Sequence, residues 1–233
     1  MLWSKNKRVE ARKTAKFRST NKMWNDLGLN QKKNIGAVIF LAKQSRAKTF
    51  EEWERYYFES GEKRNELLSK SHTEYELKKI NNEHGRTKED LLEIAKEFQK
   101  HIDLPLETVY NYVYIRVIDE TWIGHSRELK AMRTITTECE KFGLTVSDVD
   151  YYVDMTYAID FEVKRNNNPI LAIQLKSVKY RDSTLVAVDE IKTINKEKNA
   201  AYTSRYGADV LYLYTDYDRI VNLNELRSFL NNL

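Results

Sequence analysis

Three polar side chains interrupt two short apolar stretches within residues 157–179, and together they could carry out metal-assisted phosphate chemistry. Asp160 lies in the first stretch, and Gln174 and Lys176 lie near the end of the second. A carboxylate and an amide oxygen are ligands that Mg²⁺ accepts. A neighbouring ammonium can orient an attacking water and stabilise negative charge. An Asp and a Lys at strand ends are common, but unpaired polar groups within apolar strands are costly, which favours a polar or metal site.

The two apolar stretches predict an antiparallel hairpin, because a run of Asn and Pro separates them. A three-residue loop over 166–168 would place Asp160 opposite Gln174. A two-residue loop would instead pair Asp160 with Leu175 and turn the polar groups to opposite faces of the sheet. Side chains two residues apart share a face of a strand, so Lys176 follows Gln174. Only the three-residue loop gathers all three groups, and we expect that register.

Composition indicates a folded protein in a reducing compartment. The 233 residues are 41% hydrophobic and 12% aromatic, enough for one large domain or for a main domain with a helical extension. Cys139 is the only cysteine, which excludes an internal disulfide and favours the cytoplasm. The longest wholly apolar run, residues 35–42, is too short to span a bilayer. We therefore expect a soluble cytoplasmic protein with no membrane partner.

Basic residues are concentrated at the start of the chain. Residues 1–48 carry 13 Lys or Arg against two acids, whereas the net charge of the whole chain is only +4. A basic arm on an acidic body predicts a polyanionic partner, and nucleic acid fits best. A solubilising, partly disordered terminus is the alternative. The candidates for phosphate contact are Lys13, Lys16 and Arg18.

Helical periodicity dominates residues 21–119. Thr49 and Thr87 are predicted N-caps, because each precedes acidic residues and a segment of helical periodicity. A break at residues 103–105 would separate two short helices, as in a helix-turn-helix, although an ordinary helical hairpin is the favoured alternative. The candidates for base contact from the second helix are Asn111, Tyr114 and Arg116.

The chain beyond residue 120 predicts the sheet. We expect a helix over 128–142 before the hairpin, then a helix over 189–205 and a strand over 210–214. A strand, a helix and a strand in that order supply the crossover that a parallel pair requires. Further candidates for DNA contact border this region, namely His125, Arg127 and Lys179.

Asp160, with Gln174-Leu175-Lys176 further on, resembles the signature of the PD-(D/E)xK nuclease superfamily. The resemblance implies that Asp160 and Gln174 bind Mg²⁺ and that Lys176 positions the attacking water. Gln174 departs from the pattern, because the family usually has an acid there. The helix before the core sheet often donates an extra acid in this superfamily, and Glu128 fits that role as a third metal ligand.

Three further segments resemble the MjaI family of type II restriction endonucleases. They are EEWERYY at 51–57, RVIDETWxGxxRE at 116–128 and AIQLKSVKY at 172–180. The similarity extends over about residues 45–215. It implies Mg²⁺-dependent cleavage of a short palindrome in double-stranded DNA, with CTAG as the family's usual site.

The resulting hypothesis is an α/β fold in three parts. Residues 1–48 would form the basic arm and first helix, residues 49–119 a helical DNA-recognition region, and residues 120–233 a nuclease core with a mixed central sheet flanked by helices. We expect a homodimer, with a monomer as the alternative. Two other functions stay open. A structure-selective nuclease, such as a junction resolvase or repair enzyme, would share the core, and a non-catalytic DNA-binding regulator would need no metal.

Overall fold

The computed structural model describes residues 1–233, except for the side chain of Tyr151. The chain divides into two compact units, Met1–His125 and Ser126–Leu233. The first unit is helical, and the second contains a five-stranded mixed sheet with helices. The predicted α/β class, with a mostly helical first half, is confirmed. No helix in the described part of the chain is long and apolar enough to cross a membrane.

The first unit consists of short helices and one long helical region. Its helices are α1 (Lys5–Ala11), α2 (Ala15–Asp26), α3 (Lys32–Ile35), α4 (Val38–Ser45), α5 (Phe50–Leu68), α6 (Glu74–Glu83), α7 (Lys88–Gln99) and α8 (Leu106–Tyr114), followed by a π-helical turn (Ile115–Asp119). Helix α9 (Glu120–Glu140) then continues into the second unit. Thr49 and Thr87 are N-caps, as predicted, and each forms a capping box with the acid three residues later.

The basic segment is folded rather than an extended arm. Trp24 of α2 and Leu41 of α4 are buried in the core of the first unit. The guanidinium of Arg8 in α1 is buried and donates to both carboxylate oxygens of Asp119, at 3.0 and 3.3 Å. Because residues 1–48 share the core of residues 49–125, the predicted arm is not a separate part of this unit.

The second unit is built on a sheet of order β1-β2-β3-β4-β5. Its elements after α9 are β1 (Thr145–Asp148), α10 (Tyr151–Tyr157), β2 (Phe161–Arg165), β3 (Asn168–Ser177), α11 (Val178–Asp182), α12 (Val186–Tyr206), β4 (Asp209–Asp216), β5 (Arg219–Ile220) and α13 (Leu223–Asn231). Strands β3 and β4 are parallel and joined through α12, which confirms the predicted crossover. The other three pairs are antiparallel.

The hairpin has the expected register but not the expected loop. The loop has two residues, Asn166 and Asn167, both with positive φ (51° and 65°), as a type I′ turn requires. A bulge between Val163 and Lys164 then shifts the pairing by one residue. Beyond the bulge Phe161 pairs with Ile173, which is the register predicted from a three-residue loop. The prediction of loop length was wrong, and the bulge compensates for it.

The sheet has one apolar face and one mixed face. Leu171 and Ile173 of β3 pack into a core with residues of α9 and α13. On the other face, Ala172 packs with Tyr202 of α12. Since side chains alternate along a strand, Gln174 and Lys176 lie on the mixed face. The polar groups of interest therefore face the α12 side of the sheet.

Helix α9 starts eight residues earlier than predicted. It begins at Glu120, so Glu128 lies inside the helix rather than at its first residue. Gly124 lies within the helix with open space around it, so no close contact requires a glycine there.

Candidate active site

Asp160 is fixed to strand β3 on both sides of Gln174. Helix α10 ends at Ala158, whose positive φ of 57° turns the chain toward the sheet. The Asp160 amide N–H then donates to the carbonyl oxygen of Ile173 at 2.9 Å. The Asp160 carboxylate accepts from the amide N–H of Leu175 at 2.7 Å. The carboxylate is thereby positioned at the end of the hairpin next to Gln174.

Gln174 is the most unusual polar residue of the sheet. It is 0% exposed, and neither its amide oxygen nor its amide nitrogen has a hydrogen-bond partner among the described residues. Leaving a buried amide unsatisfied costs roughly 1–3 kcal/mol. Buried polar groups without partners are rare in native proteins, which makes this amide a candidate for binding a ligand.

Lys176 is half-buried on the same face, two residues beyond Gln174. Its ammonium lies 5.8 Å from the ring centroid of Tyr180 in α11. The Tyr180 hydroxyl accepts from the Asn195 amide of α12 at 3.0 Å, and Lys192 lies 6.0 Å from the same ring. Sequence reasoning did not assign Tyr180, Asn195 or Lys192 to the site, and only the packing of α11 and α12 brings Lys176, Asn195 and Lys192 to Tyr180.

Glu128 is half-buried in α9. Helix α9 reaches the turn after β4, because the ammonium of Lys130 lies 2.6 Å from the carboxylate of Asp218 in that turn. Strand β4 runs parallel to β3, so this turn lies at the end of the sheet that carries Lys176. Glu128 stays a candidate on that basis.

A second carboxylate of this face was also missed. Glu162 of β2 lies directly opposite Ala172 and accepts from the Tyr202 hydroxyl at 2.6 Å. The ammonium of Lys164 lies 2.9 Å from the same carboxylate. Burial is the main cause that raises the pKa of Tyr202, and the neighbouring Glu162 carboxylate raises that pKa further. Strand alternation from Asp160 was the available signal, because residues 160 and 162 are two apart.

Protein side chains supply only part of the ligands that a magnesium ion needs. Among the side chains that the structure describes, no three His, Cys, Asp or Glu residues lie close enough together to hold a metal. Mg²⁺ does not require such a cluster, since it is commonly held by one or two carboxylates together with phosphate oxygens and water. The carboxylate of Asp160 and the unsatisfied amide oxygen of Gln174 are suitable donors.

Two of the predicted base-contact residues are buried in the first unit. Asn111 is hydrogen-bonded to main-chain groups of Met1, Trp3 and Glu107, and the Tyr114 hydroxyl donates to Glu54. Helices α7 and α8 pack as a helical hairpin, and the second helix turns these side chains inward. Neither group is presented to a DNA groove in this structure.

The remaining candidates differ in their exposure. Arg116 is half-buried and ion-paired with Glu120, and His125 is buried against the ring of Trp122 at 5.9 Å. Arg127 is half-buried. Four basic residues are exposed, namely Lys13, Lys16, Arg18 and Lys179.

Comparison with protein families identifies the class of protein. A family model described as MjaI restriction endonuclease matches residues 20–220, which is most of the chain and begins earlier than the expected residue 45. The match places the protein among the type II restriction endonucleases, which are nucleases that bind double-stranded DNA. The chain belongs to the MjaI restriction endonuclease family. Neither the curated proteins nor the solved structures give a match.

Proposed function

We propose that this protein hydrolyses phosphodiester bonds of double-stranded DNA at a short palindromic site with Mg²⁺ as its cofactor. One observation carries the proposal: the amide of Gln174 is fully buried and has no hydrogen-bond partner among the described residues. Gln174 lies between Ile173 and Leu175, which are both hydrogen-bonded to Asp160, and it precedes Lys176 by two residues. The family's usual site, CTAG, is the expected recognition sequence. A palindrome has two-fold symmetry, and we expect a homodimer to match it.

In this proposal Asp160 and Gln174 hold the metal, and Glu128 contributes a further carboxylate. Mg²⁺ bound there would polarise the scissile phosphate and lower the pKa of a bound water. The Leu175 amide keeps the Asp160 carboxylate in place through its 2.7 Å hydrogen bond. Burial of Gln174 excludes competing water from the amide oxygen, so the ligand is held in position before DNA binds.

Lys176 acts on the phosphate and the attacking water. Its ammonium can donate to both, which orients the nucleophile and stabilises the charge that develops on the phosphate oxygens. The ring of Tyr180 limits where the flexible side chain can place that ammonium. The exposed lysines and arginines of α1, α2 and α11 bind flanking phosphates and supply affinity without base specificity.

The decisive experiment is digestion of a plasmid of known sequence with and without Mg²⁺, followed by sequencing of the ends. Cuts at one short palindrome in linear duplex support the proposal. Cuts confined to junctions or damaged DNA would identify a structure-selective nuclease instead. Binding without any cleavage, for the wild type and for Lys176→Ala alike, would favour a non-catalytic regulator.

A second experiment tests the metal site without relying on activity. Gln174→Glu restores the carboxylate that the superfamily pattern usually has, so we expect tighter Mg²⁺ binding, roughly tenfold, because one more negative charge faces the cation. Calorimetric titration of Mg²⁺ into the protein–DNA complex measures it. Weaker binding by the glutamate variant would show that residue 174 is not a ligand. Asn199→Asp, on the same side of the sheet but hydrogen-bonded to Tyr157 and Tyr212, is the control.

A further inference from the structure

The corner between α3 and α4 exposes two adjacent, large apolar side chains. Ile39 is 62% exposed and Phe40 is 38% exposed, whereas the next two residues of α4, Leu41 and Ala42, are buried in the core of the first unit. Helix α4 is therefore apolar on its outer side as well as its inner side. The inner side accounts for folding, and the outer side is typical of an interaction surface.

The sequence on both sides of this apolar pair is basic. Between Asp26 and Glu51 the sequence contains no acid and five basic residues, namely Lys32, Lys33, Lys43, Arg46 and Lys48. A partner that complements this corner must carry dense negative charge and also offer apolar surface between the charges. A DNA duplex has both properties, because phosphates border grooves that display base edges and thymine methyl groups.

The corner is held rigidly from inside. Arg86 is 2% exposed, and its guanidinium lies within hydrogen-bond distance of five main-chain carbonyl oxygens. Two of these carbonyls, at 3.1 and 2.6 Å, belong to Lys32 and Lys33 of α3. The Tyr57 hydroxyl donates to the carbonyl oxygen of Ile35 at 3.0 Å.

The turn into α4 allows no side chain. Gly36 has a φ of 77°, and a Cβ there would lie 2.0 Å from the carbonyl oxygen of His84. The backbone of the corner is thus fixed before any partner arrives, which reduces the entropy lost on binding.

We propose that the α3–α4 corner is a DNA-contact surface in which Ile39 and Phe40 touch base pairs in a groove while the flanking lysines and arginine bind phosphates. This inference rests on the proposed function for its partner, but it concerns a surface in the first unit that the metal site does not include. Apolar contacts with bases would contribute to recognition of the site, in contrast to the phosphate contacts beside them.

The test separates apolar from ionic contacts by their dependence on salt. Each phosphate contact releases counterions and adds about −0.9 to the slope of log affinity against log salt, whereas an apolar contact leaves the slope unchanged. We expect the double variant Ile39→Ser and Phe40→Ser to bind a fluorescent duplex carrying one CTAG about tenfold more weakly with the same slope. The double variant Lys33→Gln and Arg46→Gln should flatten the slope by roughly two units.

Controls keep the test specific. Tyr75→Ser removes another exposed aromatic, 76% exposed on α6 beside Glu74 and Glu76, and it should leave both affinity and slope unchanged. Ile39→Ser alone should show a smaller loss than the double variant. Ile39 is 62% exposed, so the melting temperature of the Ile39→Ser variant should match that of the wild type.

Two results would overturn the inference. Unchanged affinity of the apolar double variant for the CTAG duplex and for a scrambled duplex would exclude base contact. A lower sedimentation mass of that variant without DNA would show that the corner binds another copy of the chain. Failure of the proposed function looks different, because wild-type protein would then leave duplex DNA uncut with Mg²⁺ whatever the variants bind.

Discussion

The two units of this chain differ in how they treat buried polar side chains. In the first unit, Arg86 has five carbonyl acceptors and Arg8 shares both oxygens of Asp119. In the second unit, Gln174 is as deeply buried but has no partner among the described residues. A satisfied group stabilises the fold, whereas an unsatisfied one reduces stability and is retained for another reason. The contrast makes Gln174 a candidate functional residue without reference to sequence patterns.

The largest expected effect is on DNA cleavage and concerns the two residues beside Gln174. Asp160→Ala and Lys176→Ala should each lower the rate of DNA cleavage by 10³-fold or more, on the order of what removal of a charge-stabilising group costs in other enzymes. DNA affinity should stay close to wild type for both variants, since the lost contacts with substrate stabilise the transition state. Lys176→Ala should keep the wild-type melting temperature, whereas Asp160→Ala also loses the hydrogen bond from Leu175 and should melt at a lower temperature. Single-turnover cleavage assays measure the rate. Near wild-type turnover by either variant would refute the site.

The next effect concerns stability at the satisfied site. Arg86→Met should lower the free energy of unfolding by about 3 kcal/mol or more, because it leaves several buried carbonyls without donors. Burial lowers the pKa of Arg86 to about 10, so the guanidinium is still charged at neutral pH. Urea unfolding of the variant beside Lys78→Met, an exposed charge on α6, gives the comparison. Equal stabilities would mean that the carbonyls find other donors.

Gln174→Leu should behave in the opposite way. Leucine has nearly the same size and no unsatisfied polar atoms, so we expect the free energy of unfolding to stay the same or to rise by about 1 kcal/mol. Cleavage should be lost. Asn199→Leu is the matched comparison, because Asn199 is buried and hydrogen-bonded, and its replacement should lower stability by roughly 1–3 kcal/mol. If Gln174→Leu is as destabilised as Asn199→Leu, Gln174 stabilises the fold as a hydrogen-bonded residue does, and the contrast between the two residues is wrong.

The smallest effect concerns a satisfied acid of the second unit. Hydrogen bonds from Arg227 and then Lys141 lower the pKa of Glu138 to about 2. Its contribution to stability is present above the ordinary pKa of a glutamate and is lost as the pH falls toward 2. Glu138→Gln should therefore be less stable than wild type by about 1–2 kcal/mol at pH 6 and nearly equal to it at pH 2. Urea unfolding at both pH values measures the difference, and a difference independent of pH would contradict the ion pairs.

Local signals predicted much of the fold. The caps at Thr49 and Thr87 depend on neighbouring residues alone, and both were correct. Strands β1 and β5 were not predicted, because four and two residues carry too little periodicity to be recognised before their partners are known. The interpretation of residues 1–48 as an arm rests on charge counts, which do not register the few buried residues, Trp24 and Arg8 among them, that anchor a basic segment to a core.

The site was only partly predictable for a similar reason. Asp160, Gln174 and Lys176 were found because polar residues within apolar strands are visible in the sequence. Asn111 and Tyr114 show the limit, since helix periodicity did not indicate that α8 is buried on every side over residues 109–114. Tyr180 and Asn195 approach Lys176 only after α11 and α12 pack on the sheet.

The loop of the hairpin and the end that carries Asp160 are independent of each other. A one-residue insertion between Asn166 and Asn167 would lengthen the loop to three residues and leave the bulge after Val163 in place. The pairing of Phe161 with Ile173 would then be unchanged, and so would the position of Asp160 beside Gln174. Length variation at this tip is therefore tolerable, and the tip is a suitable place to attach a fluorescent probe or an affinity tag without disturbing catalysis.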